Sequence, residues 1–393
     1  MTRGVGASQE GPIAVVACVS TCVAAYGVYL GLPLILGALA TQLNFSDAQI
    51  GWIGSAENGG LLLGSVAVSR LARSWRFRTI ATLGMPIAIL GDLVMREVRS
   101  FPVFLAVRLC AGFGGGLCYS AAIAALSRTQ LAARNFSIFV FVLVIANSVE
   151  LWLIPPIVSH WNVGGLYMVL AALYLLPLAL APQLPDRASI AVPLDDAGRA
   201  PRMRGPELAW LCLAAIVLFN VAASAFWAYA DRIGASIHLR ERTVSTILTV
   251  GNLVSITGSM LAYAISRRWG QHRPQLAATG LMIVTFLVWA MQLTPLHYVL
   301  GIFVFFEVWS TVSVYQLGTL SAIDDTGRRV ALLPAAQGVG QSVGPSFSAA
   351  LIALGCDFSR ILLAATLFIV GSLTAYAIVY SKLRRLDPVI ANA

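Results

Sequence analysis

Ionised side chains are what this sequence has least of. Asp, Glu, Lys and Arg together make up 11% of its 393 residues, while hydrophobic residues make up 58%. A soluble chain of this length needs about a quarter of its residues charged, so a soluble globular fold is excluded. Lysine is nearly absent, with Lys382 alone beside 25 arginines, and the net charge is +9. No segment joins clustered basic residues to exposed aromatics in a soluble domain, which excludes nucleic acid as a partner. The six cysteines, at 18, 22, 110, 118, 212 and 356, have no zinc or redox spacing and read as small hydrophobes. The four histidines, at 160, 238, 272 and 297, form no H-E-x-x-H. "GVGQSVG", residues 338 to 344, lacks the register of a nucleophile elbow around Ser342. These absences predict no enzyme, no metal and no organic cofactor, and leave a membrane receptor or membrane enzyme as a remote alternative.

What is present is a series of apolar runs, each long enough to cross about 30 Å of hydrocarbon as a helix. Twelve can be drawn, over 13–37, 48–69, 79–98, 102–126, 136–158, 164–183, 208–230, 243–265, 275–293, 297–320, 331–354 and 360–381. The first has no cleavage-like ending and is not read as a signal peptide. With the first residues inside, inner segments hold 19 of the 26 Lys and Arg and outer segments six, with Arg108 alone in a span. That bias predicts a multi-pass protein of the inner (cytoplasmic) membrane with both termini cytoplasmic. The polar stretch 185–206 divides the chain into bundles at 1–184 and 207–393. Ser69-Arg70 recurs as Ser266-Arg267 after 197 residues, and Ser127 and Arg134 recur as Ser321 and Arg328 after 194. The halves therefore read as parallel repeats about an axis along the membrane normal.

Arg108, Gly112, Gly114 and Gly116 in the fourth span form R-x-x-x-G-x-G-x-G. This motif, the two sets of six spans and a basic loop after the second span resemble the major facilitator superfamily of secondary transporters. The loop keeps Arg70 and Arg73, but Ser65, Ser69 and Ala72 replace the glycines and acid of the family pattern. Helix 11, as Gly340, Gly344 and Pro345, carries the G-x-x-x-G-P that antiporters of that superfamily often have in helix 5; there this chain has Glu150 instead. The resemblance implies an all-α fold of twelve transmembrane helices in two pseudo-symmetric six-helix bundles. It also implies a cavity lined by helices 1, 4, 7 and 10, and alternating access.

Charges at bilayer depth cost about 2.5–3.5 kcal/mol on insertion scales and usually face a partner or a wet cavity. Glu307 in helix 10 is the leading candidate for a proton or substrate site, against the plainer reading of a protonated acid bonded to a neighbouring helix. Arg108 is read as a cavity charge, or as one member of a structural ion pair. Glu150 is a candidate substrate or proton site, against the plainer reading of a partner for Arg108 or a contact to helix 8. Glu57, beside the small-residue pair Gly60–Gly64, is a candidate substrate or proton contact, against the plainer reading of close helix packing. Asp92 and Arg96 have the i, i+4 spacing of a local ion pair. Tyr26, Tyr29, Trp227, Tyr229, Trp309 and Tyr315 supply aromatic faces for a cation or an apolar solute, or anchor and pack the helices. Asn220, Gln316, Gln337 and Gln341 supply neutral hydrogen bonds to solute or between helices. Arg70, Arg73, Gly112, Gly114, Gly116, Gly340, Gly344, Pro345 and Arg328 are expected to serve gating and helix packing, with Asp324-Asp325 facing Arg328-Arg329 in one loop.

Together these predict a monomeric, proton-coupled symporter of a small organic solute, cationic, zwitterionic or amphipathic, embedded in lipid. The proton is the only coupling partner expected. A facilitator or organic-anion carrier with Arg108 as ligand is the alternative.

Overall fold

The computed structural model describes residues 11–129, 131–185, 206–324 and 329–386. The expected linker, apart from its two ends, and Arg328 lie outside them. Among the described residues the chain is helical throughout. The first crossing is two helices, α1 (Pro12–Leu30) and α2 (Leu32–Gln42), broken at Gly31. Then come α3 (Asp47–Leu71), α4 (Phe77–Val94), α5 (Phe101–Leu126) and α6 (Ala132–Leu173). The last holds the fifth and sixth crossings, which meet at Asn162 with φ 57° and ψ −177°. The Asn162 carboxamide accepts the Gly165 N–H at 3.3 Å and so caps the outgoing helix. Short α7 (Leu175–Leu180) closes the first half.

The second half repeats the plan. Its first crossing is α8 (Pro206–Trp227), and the short α9 (Ala230–Ser236) follows it beyond the apolar span. It continues with α10 (Glu241–Trp269), α11 (His272–Met291), α12 (Pro295–Ile323), α13 (Leu333–Ala353) and α14 (Phe358–Leu386). Local chemistry sets these limits. Ser46 and Gln49 form a reciprocal capping box at the start of α3, with bonds of 3.2 and 2.9 Å. Gly270, at φ 68°, ends α10 in a conformation that other residues avoid.

Glycine lets the helices of each half approach to backbone contact. A Cβ on Gly112 would overlap the Glu57 carbonyl oxygen, and one on Gly116 that of Leu61, so α5 lies directly against α3. In the second half, a Cβ on Gly340 would stand 2.7 Å from the Val217 oxygen and one on Gly344 2.5 Å from that of Val221. Both glycine sets therefore join helices within one half, α5 to α3 and α4 and α13 to α8, rather than one half to the other.

The halves meet along α3 with α13 and α6 with α10. Ser55 donates to Ser342 O at 2.6 Å and Asn58 to Gln341 O at 2.9 Å. Ser245 donates to Leu151 O at 2.6 Å, and Asn252 to Ser148 Oγ at 2.8 Å. Near the face opposite the chain ends, called the far face below, Arg232 Nε binds Asp47 Oδ1 at 2.7 Å and Tyr229 donates to Asp47 O at 2.8 Å. These cross-half bonds run from mid-depth to the far face.

Candidate solute-binding site

The buried charge of the first half closes on itself. Arg108 is 1% exposed. Its Nη2 lies 2.6 Å from Glu57 Oε2, and its Nη1 lies 2.6 Å from Asp92 Oδ1. The Tyr167 ring covers the guanidinium at 4.9 Å. The three helices that carry this triad, α3, α4 and α5, all belong to one half. Asp92 therefore pairs with Arg108 and not with Arg96, because α4 ends at Val94 and Arg96 has left the helical register that i, i+4 pairing needs. Arg96 turns instead to Glu97, at 3.5 Å on the surface. Glu150 is not the partner of Arg108 either.

Glu307 also stands away from the centre. On α12 the residues facing inward are Phe306, Trp309, Ser310 and Ser313. A helix turns about 100° per residue, so Glu307 falls off that stripe. It lines a groove of about 1030 Å³ on the outer side of the second half, with Met260, Leu261, Leu281 and Tyr315. Thr257 donates to Glu307 Oε1, while Oε2 has no partner among the described residues. Tyr315 goes with it, its hydroxyl donating to Ala262 O at 2.9 Å. Gln316 is fully buried with neither amide atom bonded among the described residues, and it too is absent from the central wall.

The central cavity, of about 300 Å³, lies between the halves. Tyr26, Tyr29, Leu143, Val144 and Asn147 of the first half face Asn220, Trp227, Asn252, Ser255, Phe306, Trp309, Gln337 and Gln341 of the second. Among the described residues its wall holds no Asp, Glu, Lys or Arg. Tyr26 and Tyr29 pack at 4.9 Å, and Tyr119 stacks on Tyr26 at 4.4 Å. Three wall atoms are buried without a hydrogen-bond partner among the described residues: Tyr29 Oη, Asn147 Oδ1 and Asn220 Oδ1. The Asn220 amide is fixed by its bond to Ile216 O at 2.9 Å, which leaves its oxygen as the free group.

Glu150 adjoins this cavity without lining it. It lies one turn from Asn147 on α6, and a Cβ on Gly31 would come within 2.6 Å of its Oε1, which also has no partner among the described residues. The α1–α2 break thus leaves room for this carboxyl beside Leu30.

The expected gating residues separate by position. Arg70 and Arg73 are exposed at the end of α3 and in the turn after it, on the face of the chain ends. Pro345 abuts α3 at Gly51. In the loop after α12, Asp324 accepts the backbone N–H groups of Arg329 and Val330, and Arg329 lies over the Trp210 ring at 4.1 Å. Sequence reasoning missed Asn252, Ser255, Ser310 and Ser313. Their spacing of three residues on α10 and on α12 was the signal available, a polar stripe inside apolar helices.

The sequence pattern of the Major Facilitator Superfamily matches residues 17–322. The chain belongs to the major facilitator superfamily. Superfamily membership makes it a multi-pass membrane transporter of small solutes and not an enzyme. No curated protein matches it. Solved superfamily structures share its fold at low identity. The nucleoside transporter NupG is 14% identical, with a TM-score of 0.70 over 94% of this chain and 99% of that one. A bacterial homologue of the human lysosomal transporter Spinster, inward-facing and unoccupied, is 12% identical, with a TM-score of 0.74 over 95% and 98%.

Proposed function

We propose that this protein is a secondary transporter that moves an uncharged, planar, hydrogen-bond-donating solute by alternating access. The observation that carries the reading is the pair of unbonded amide oxygens, Asn147 Oδ1 and Asn220 Oδ1, one on each half of an ion-free aromatic cavity. A buried acceptor without a donor costs about 1–3 kcal/mol, so a bound N–H or O–H group recovers that cost from both halves at once. The rings of Tyr26, Trp227 and Trp309 offer faces to a flat solute. A nucleoside has this chemistry, and the NupG fold carries one by its name.

The expectation of a cationic solute rested on excess acid in the interior. Arg108 takes up Glu57 and Asp92, and Glu307 faces outward, so the cavity does not carry that charge. The anion-carrier alternative loses its ligand for the same reason. Glu150 is the acid placed to couple a proton to the solute, beside the cavity and within reach of the α1–α2 break.

The arginine bias supports cytoplasmic chain ends in an inner membrane, and we take the protein as a monomer with its two bundles joined by 185–206. The far face is then external, and the cross-half bonds there support an inward-facing state. The test is tryptophan-fluorescence titration of the reconstituted protein with nucleosides and with their charged phosphates. Saturable binding of the uncharged compounds, weakened about tenfold or more in Asn147→Leu and in Asn220→Leu, is expected. Binding that prefers the charged compounds, or that ignores both substitutions, overturns the reading.

A further inference from the structure

The far face holds a second acid that no part of the cavity uses. Asp231 lies in α9, outside the apolar span that ends at Trp227. It is 8% exposed and makes no hydrogen bond or ion pair among the described residues. Its carboxyl presses across the boundary between the halves onto the bare Cα of Gly37 in α2, where a Cβ would overlap Oδ2.

The groups around it are few. α2 has no titratable side chain. Arg232, next in sequence, is drawn away to Asp47 at 2.7 Å. Glu241, at the start of α10, adds like charge. Tyr298 of α12 spends its hydroxyl on Ala230 O at 2.8 Å. Asp231 is therefore enclosed by apolar contacts, one acid and a cation already engaged.

We infer that Asp231 is a proton-binding site of the far-side gate: with its carboxyl neutral, α9 seats on Gly37 and the far face closes, and with it ionised the two helices part. An ionised carboxylate in that seat has no donor and no free counter-ion, and the cost of burying it falls on the closed state alone. Burial, with Glu241 adding and Arg232 opposing, pushes this carboxyl up from 3.8 to about 7. The sign follows. When α2 and α9 separate, the carboxyl meets water and returns toward its ordinary range. The closed state then binds more protons than the open state between about 4 and about 7. Closure weakens as pH rises through that window, by about tenfold in the closed-to-open ratio per pH unit, and levels off above it.

This inference rests on the alternating-access reading, and one experiment separates the two. Spin labels at Thr41→Cys and Ser236→Cys, both exposed, would report the α2–α9 distance in nanodiscs, with the native cysteines replaced by alanine. The long-distance population should grow as pH rises from 4 to 7. Asp231→Asn should hold the short distance at every pH, and Gly37→Ala, which fills the seat, should favour the long distance even at pH 4. Arg232→Gln should lengthen the distance at all pH values while keeping the pH response. A pH response that survives in Asp231→Asn overturns the site alone. A distance that stays short in every variant and at every pH overturns alternating access at this face, and the site with it.

Discussion

At matching places in its two halves, the molecule solves one packing problem with opposite chemistries. Arg108 stands seven residues after the start of α5, and Ile302 seven after the start of α12. Asp92 stands two residues before the end of α4, and Trp289 two before the end of α11. The first half therefore fills this region with an ion triad. The second fills it with rings: Trp289 stacks on Phe226 at 4.4 Å, lies 5.8 Å from Phe286 and donates to His297 O at 2.9 Å. Rings hold by shape and dispersion, and tolerate a neighbour of similar size. Buried charges hold only as a complete set, because any member left alone bears its full desolvation cost. The repeat constrains where the helices lie but not what fills the space between them.

That contrast is open to direct attack. Arg108→Met alone strands two acids and is expected to cost about 3–5 kcal/mol, read as a fall in melting temperature or loss of folded protein from the membrane. Adding Glu57→Gln and Asp92→Asn to Arg108→Met removes the stranded charge and should recover most of that loss. If the triple variant is no better than the single one, the triad is not the closed charge set described. Trp289→Phe, which keeps a ring, should cost about 1–2 kcal/mol in the same assay, with no second-site change needed. Arg96→Gln should stay within about 0.5 kcal/mol, since that side chain is exposed and its contacts, with Glu97 and with Met168 Sδ, lie on the surface. A large effect at Arg96 would restore the local pairing with Asp92 that the end of α4 rules out.

Some of this was legible in the sequence. Apolar runs of about 20 residues marked the crossings, and the Arg108–Gly116 motif marked the family, because both are properties of one segment at a time. Helical placement was legible too: Arg108, Glu57 and Glu307 lie inside long helices, α5, α3 and α12. Direction around the helix axis was not. Glu307 differs from Phe306 by one residue, and that step decides between cavity and groove. The partner of Asp92 depended on where α4 stops, and the spacing to Arg96 was misleading once the helix ended two residues earlier. The glycines of α5 were seen, yet the helix they admit was a matter of tertiary arrangement. Asp231 carried no signal at all, since its meaning comes from Gly37 on the other half.

The ion-free wall has an electrical consequence. A membrane potential does about 2.3 kcal/mol of work per 100 mV on each elementary charge that crosses the bilayer. If the bundles rock as proposed, the guanidinium at 108 moves locked to its counter-ions inside one half, and among the described residues the wall around the solute brings no charge of its own. A neutral solute then adds no charge to the transition, and the voltage dependence that remains is that of the proton proposed to couple at Glu150.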